Sequence, residues 1–311
     1  MAIVAVAGGS GPVGRTIVDG LVAHGGHKVF VLSRSFVQSR EPSNGVHFLA
    51  VDYNDIEETS KTLESNNIDT VISAMGVITA ETSASQVQLV KAADKSSTTR
   101  RFVVSAFDME HKREQISHYP LAKYAFEAID ELDKTDLEYT RVVNGQFLDY
   151  YGVPHYKTHM HPWINFVNVE KKWAVIPGDG SARCNFIASQ DMAKFVVRLM
   201  GLDRWNKVSS IVAETLTISE LLGIAEKVRG CKFNVIYDDL AKLKSGKISF
   251  ASEFPDIGFP QDEAEAIFAK VHYYAGTEAF LVPTEDTLNS KFPDIVTKTA
   301  VDVIEEAWKG R

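Results

Sequence analysis

Short runs of β-branched and apolar residues punctuate the first half of the chain: Ile3 to Ala7, Lys28 to Ser33, His47 to Val51, Thr70 to Ala74, Arg101 to Ser105 and Glu138 to Val143. Helical patterns with legible limits lie between them. Val13 to Ala23 stops at Gly25-Gly26, Ile56 to Leu63 follows Asn54-Asp55, and Leu121 to Leu132 starts after Pro120, where a missing N–H costs a helix nothing. Strands that alternate with helices make βαβ units, so the pattern predicts an α/β fold whose six strands form one doubly wound parallel sheet.

After Val143 the alternation becomes irregular. The stretch from Phe147 to Trp173 carries seven aromatics in 27 residues, more than twice the chain average of 10%. Pro177-Gly178-Asp179-Gly180 reads as a turn, followed by a strand and by a helix from about Gln190 to Met200 that can return to the first sheet. Thr217-Ile-Ser219-Glu220 opens a further helix with capping residues and Arg229-Gly230 closes it. Cys231 to Tyr237 has the composition of a strand, and a last helix follows Pro293. The expected organisation is residues 1–150 as a first domain, rejoined by 181–201, with 151–180 and 202–311 as a smaller, partly discontinuous C-terminal substrate domain. Two domains suit 311 residues at roughly 150 per domain.

Composition narrows the class. With 45% apolar and 24% charged residues the chain is that of an ordinary globular protein. The net charge of -8 opposes a phosphate backbone and no basic patch offsets it, which argues against nucleic acid. Cys184 and Cys231, 47 residues apart, fit neither a disulfide framework nor a zinc site. No apolar stretch approaches the ~20 residues of a membrane helix. A strand that begins directly after Met1 leaves no room for a cleavable leader, so a cytoplasmic location is expected.

The first strand runs straight into Gly8-Gly9-Ser10-Gly11-Pro12-Val13-Gly14, which opens the first helix. Gly9, Gly11 and Gly14 satisfy G-x-G-x-x-G, while Gly8, Gly11 and Gly14 have the G-x-x-G-x-x-G spacing found in short-chain dehydrogenase relatives. Residues without Cβ allow the tight turn and let backbone N–H groups approach a pyrophosphate, whose charge the helix N-terminus stabilises. A Rossmann-type dinucleotide site is expected here. Where a carboxylate would meet the ribose of NAD, at the end of the second strand, the chain has Ser33-Arg34-Ser35. A guanidinium pairs with a 2′-phosphate, so Arg34, with Arg40 assisting, predicts NADP (NADPH). Asp52, after the third strand, either bonds the adenine or caps the next turn. Ala74-Met75-Gly76 ends the fourth strand where backbone can run alongside the cofactor, and Asn144, after the sixth, completes the cofactor set.

Ser105 ends the fifth strand, at the edge where open α/β sheets present residues to ligands. Tyr119-Pro-Leu-Ala-Lys123 follows, a Tyr-x-x-x-Lys spacing that predicts phenol and ammonium on one helix face. A carbonyl or enone that gains a hydride needs a proton. Lys123 is the candidate donor, beside the cofactor, with Tyr119 and Ser105 assisting. Phe147, Tyr150, Tyr151 and Trp163 are the candidate walls of a substrate cleft. His155, His159 and His161 do not match a metal-binding motif, and no metal is expected.

Gly8 to Gly14, Val31-Leu-Ser-Arg34, Val71-Ile-Ser-Ala-Met-Gly76, Arg101-Phe-Val-Val-Ser105, Pro120-Leu-Ala-Lys123, Leu137-Glu-Tyr-Thr140 and Ile176-Pro-Gly-Asp-Gly180 occur in this order. The series resembles the NmrA-like and isoflavone-reductase-like atypical short-chain dehydrogenases. Asn144-Gly-Gln-Phe-Leu-Asp-Tyr-Tyr-Gly152 is similar to the fungal-type branch of that family. The resemblance implies an NADPH-binding domain, a smaller domain closing over substrate, and a lysine at the Lys123 position as general acid. The chain departs from the family pattern in Ala106-Phe107-Asp108 and in Lys123-Tyr-Ala-Phe-Glu127, where basic residues commonly follow the lysine. The expected function is an NADPH-dependent reductase of an aromatic or polyketide-like small molecule in secondary metabolism. The alternatives are a non-catalytic NADP(H) redox sensor acting on a protein partner, and an epimerase or dehydratase with tightly bound cofactor.

Overall fold

The computed structural model describes residues 2–34, 45–117, 119–163 and 166–311. Arg40 lies outside them. The elements run β1 (Ile3–Ala7), α1 (Pro12–His24), β2 (Lys28–Ser33), β3 (Val46–Ala50), α2 (Ile56–Ser65), β4 (Thr70–Ser73), α3 (Ala80–Lys95), β5 (Arg101–Val104), α4 (Pro120–Leu132) and β6 (Glu138–Val143). They continue as β7 (Gln146–Phe147), β8 (Val167–Asn168), β9 (Trp173–Pro177), β10 (Arg183–Ile187), α5 (Ser189–Leu199), β11 (Val208–Ser210), β12 (Glu214–Thr217) and α6 (Ile218–Arg229). Last come β13 (Asn234–Asp238), α7 (Leu240–Lys244), α8 (Gln261–Gly276), α9 (Leu288–Lys291) and α10 (Ala300–Trp308).

Two compact units emerge, one of residues Met1–Phe107, His111–Val143 and Ala193–Ser210, the other of Asp108–Glu110, Asn144–Met192 and Ile211–Arg311. The first holds a parallel sheet in the order β11-β6-β5-β4-β1-β2-β3. Order reverses between β1 and β4, and a doubly wound sheet opens its ligand crevice at that point, at the carboxyl ends of the strands. The sheet has seven strands, one more than the apolar pattern predicts, because β11 adds three residues from a polar stretch that shows no alternation.

Local signals account for the helices. Asp55 caps α2 by accepting from the Glu58 N–H at 2.9 Å, and proline opens both α1 and α4. Helix α3 leaves no continuous apolar stripe in the sequence because its buried side includes Ser83 and Gln86, both fully buried. A Thr79–Thr82 capping box starts it. Between sheet and helices lies a core of Phe30, Leu63, Leu89, Phe102, Phe126 and Leu132 with their neighbours.

The second unit carries two three-stranded sheets, β12-β10-β7 and β13-β9-β8. The Thr217–Glu220 box opens α6 and Gly230, at φ 65°, ends it. The strand expected at Cys231 to Tyr237 is β13, three residues later at its start, and the last helix begins only at Ala300 behind a Thr299–Asp302 box. Trp173, Phe254 and Phe268 pack around β9 and α8. Within this packing His272 accepts from the Phe166 N–H through Nε2 at 3.2 Å and faces the Phe268 carbonyl through Nδ1 at 2.8 Å. Burial lowers its pKa to about 4, so the ring is neutral and serves as a polar bolt between two backbone groups.

Candidate active site

The glycine turn is shaped by contacts that exclude side chains. Gly8 has φ +75° and a Cβ there would lie 2.6 Å from the Ala74 carbonyl oxygen; one on Gly14 would lie 2.1 Å from the Gly8 carbonyl oxygen. Both distances are well inside van der Waals contact, so the turn rests directly on the exit of β4 and α1 rests directly on the turn. Gly11 is the N-cap of α1 and no side chain caps the helix, while Pro12 occupies its first turn. The helix N-terminus is therefore left to an external acceptor, the arrangement that stabilises a phosphate.

Arg34 is exposed immediately after β2, on the same carboxyl edge. Its charge is felt by the buried Tyr53 phenol, which burial pushes up to about 12 against the pull of the guanidinium. Asp52, exposed after β3, accepts from the N–H and side-chain amide of Asn54 at 2.9 and 3.1 Å. Of its two expected roles, the turn is the one these bonds serve. Gly76 is exposed, and a Cβ placed on it would meet nothing within 4 Å. The protein itself does not require glycine there, and the space beside it is open for a ligand.

Ser105 follows β5 and donates its hydroxyl to the Met75 carbonyl at 2.7 Å. Its N–H donates to Gln86 Oε1 at 3.0 Å, and the same oxygen accepts from Ser73 Oγ at 2.7 Å. One buried glutamine thus ties the exits of β4 and β5 together. Sequence reasoning missed Gln86, since a glutamine inside a helix carries no signal until the helix is known to bury it.

Lys123 stands in the first turns of α4 with 58% of its side chain exposed, and its ammonium lies 3.7 Å from Glu127 Oε1. Helix α3 presents Gln86 to the exits of β4 and β5 and, three residues earlier, Ser83 to Glu127 of α4, which sets the first turns of α4 beside the carboxyl edge of the sheet. Tyr119 is the N-cap of α4, with extended backbone (φ -140°, ψ 102°), and its ring packs 5.6 Å from that of His111. The Tyr-x-x-x-Lys spacing thus begins at the N-cap, whose carbonyl accepts from the Lys123 N–H at 3.3 Å.

The remaining candidates belong to the second unit. Asn144 is buried, with its amide nitrogen 3.2 Å from the Gly145 carbonyl and its Oδ1 lacking a partner among the described residues. Phe147 packs edge-on to Tyr150 at 6.2 Å. Burial, helped by the Asp149 and Asp108 carboxylates, raises the Tyr150 phenol above its usual range. Tyr151 is buried against Phe186, and Trp163 lies 5.1 Å from Phe268; both contribute to hydrophobic packing. His155 packs on Trp308 at 4.7 Å.

A groove of ≈ 810 Å³ opens at the amino edge of the first sheet, lined by Asp69, Arg100, Arg101 and Glu138 among others. Arg101 pairs with Glu138 at 2.8 Å, and Asp69 accepts from the Ile3 N–H at 2.6 Å. It lies at the opposite end of the strands from the glycine turn.

A family model described as the NmrA-like family matches residues 2–298. The chain is 36% identical to the oxidoreductase BOA1 of Botryotinia fuckeliana over 75% of this chain and 78% of that protein. It is 30% identical to the oxidoreductase swnN of Metarhizium robertsii over 99% and 98%. Among solved structures, the ternary complex of leucoanthocyanidin reductase from Vitis vinifera superposes with a TM-score of 0.74 at 20% identity, covering 98% of this chain and 99% of that one. A structure of AtPrR2 with NADP+ and (+)pinoresinol superposes with a TM-score of 0.76 at 21% identity, covering 98% of each. No helix among the described residues is long and apolar enough to cross a membrane.

Proposed function

The chain belongs to the NmrA-like family, and from that premise we propose that it is an NADPH-dependent reductase. Its substrate is a small aromatic or polyketide-like molecule with a carbonyl or conjugated double bond. The names of its relatives support the reaction class: two oxidoreductases among the more similar proteins and, at 26% identity, pinoresinol reductase 2 of Arabidopsis thaliana.

The observation that carries the reading is the sharing of one sheet edge by two kinds of group. The uncapped N-terminus of α1, the turn closed by Gly8 and Gly14, the open flank of Gly76 and the exposed Arg34 are suited to a dinucleotide with a 2′-phosphate. Lys123 brings an ammonium to the same edge. NADPH, when bound, supplies the hydride.

The rest is the work of this chain's residues. The N–H groups opening α1 hold the pyrophosphate, and Arg34 selects the phosphorylated ribose. Hydride addition to a carbonyl carbon leaves negative charge on its oxygen, and addition to the β-carbon of an enone leaves an enolate charged at the oxygen and the α-carbon. Lys123 is a proton donor for the charged atom, and its positive charge stabilises the developing anion before the proton moves. Ser105 has its proton committed to the Met75 carbonyl and is left as an acceptor. It fixes the backbone of Ala74–Gly76 beside the cofactor while that bond lasts.

Calorimetry with NADPH and NADH on wild type and Arg34→Ala tests the cofactor half. Loss of NADPH absorbance against a panel of aromatic ketones and enones, with Lys123→Ala as control, tests the chemical half. Tight NADPH binding with Lys123-dependent oxidation is expected. Tight binding with no oxidation and no effect of Lys123→Ala would turn the reading toward a redox sensor.

A further inference from the structure

Lys123 is joined to a buried group on the neighbouring helix through one carboxylate. Ser83, on α3 and fully buried, donates its hydroxyl to Glu127 Oε2 at 2.5 Å, and the other oxygen, Oε1, lies 3.7 Å from Lys123 Nζ. Lysine preceding glutamate by four residues is the less favourable orientation of such a helical pair. Helix geometry alone therefore does little to hold the two groups together. Ser83 supplies what the helix does not, since it fixes one oxygen of the carboxylate from inside the protein and leaves the other for the ammonium.

We propose that Glu127 is a positioning residue that holds the Lys123 ammonium at the carboxyl edge of the sheet, and that Ser83 fixes Glu127 for that task. The glutamate stands where the sequence departs from its family pattern. The consequence for turnover rests on the reading of Lys123 as proton donor; the pairing itself does not.

The test has one arm free of any substrate. Wild type, Ser83→Ala and Glu127→Gln are treated with limiting acetic anhydride, and acetylation of Lys123 is measured by peptide mass spectrometry relative to Lys61. Exposed ion pairs are weak, so labelling of Lys123 should rise about threefold in both variants. Ser83→Ala removes only a hydroxyl and gives the result independently of Glu127→Gln. In the second arm, on the panel compound with the fastest NADPH oxidation, Glu127→Gln should lower kcat by about the same factor and leave NADPH affinity unchanged. The Glu127→Gln/Lys123→Ala double variant should be no slower than Lys123→Ala alone, which a merely structural role for Glu127 would not produce. Wild-type labelling in Glu127→Gln would overturn the proposal, and wild-type labelling in Ser83→Ala alone would overturn the part given to Ser83. Raised labelling with full activity in Lys123→Ala would leave the pairing standing and remove Lys123 from the reaction.

Discussion

Replacing Gly14 and Gly76 by alanine separates what the glycine turn does for the fold from what it does for a ligand. At Gly14 the new methyl would sit 2.1 Å from the Gly8 carbonyl oxygen, so α1 and the turn must part by about 1 Å to restore contact. Overpacking of this kind costs up to about 3 kcal/mol, and alanine returns about 1 kcal/mol of helix propensity, leaving a net loss of about 2 kcal/mol. For a unit of this size that lowers Tm by roughly 4–8 °C. The same movement pulls the N–H groups of α1 away from a bound pyrophosphate, so NADPH affinity should fall at least about tenfold, or ~1.4 kcal/mol. Gly76→Ala meets nothing within 4 Å and should leave Tm unchanged, yet it too should weaken NADPH, because the methyl enters the space assigned to the cofactor. Thermal melts and calorimetry on the two variants make the comparison. If Gly14→Ala lost stability but bound NADPH like wild type, or Gly76→Ala bound it unchanged, the assigned cradle would be wrong.

Arg34→Ala should weaken NADPH by about 10- to 100-fold, the loss of one charge-assisted contact, and leave NADH affinity unchanged; paired titrations check it. Gln86→Met strands the Ser73 hydroxyl and the Ser105 N–H and should cost roughly 2–4 kcal/mol in urea unfolding. His272 is neutral in the folded chain down to about pH 4, whereas the unfolded chain protonates it near 6.5. Its contribution is therefore complete above pH 6.5 and is lost as pH falls toward 4, by up to about 3 kcal/mol. His272→Gln should flatten the urea midpoint across that window; an unchanged pH dependence would show that the buried imidazole is not its source.

How much could be read in advance follows from what kind of pattern each element leaves. Strands β1 to β6 and the glycine turn were legible because buried parallel strands are apolar and the turn must be glycine. Helix α3 was not, since its buried face uses Ser83 and Gln86 as hydrogen-bonding groups, and β11 is too short and polar to announce itself. The same blindness hid the working parts of the site. Lys123 and Ser105 stood out by type and position, but the residues that tie them down, Glu127 and Gln86, are recognisable only once α3, α4 and the strand exits are side by side. Tyr119 shows the converse: a spacing that is helical on paper begins one residue outside the helix.

In the proposed reaction a hydride from NADPH and a proton from Lys123 pass to a small molecule. The direct measurement is incubation of the panel with NADPH carrying deuterium at the transferable position, followed by mass spectrometry of the products from wild type and Lys123→Ala. Wild type should give a reduced product with one deuterium, and the variant little or none. Tight NADPH binding with no deuterium in any product, or the same product at the same rate from Lys123→Ala, would contradict it.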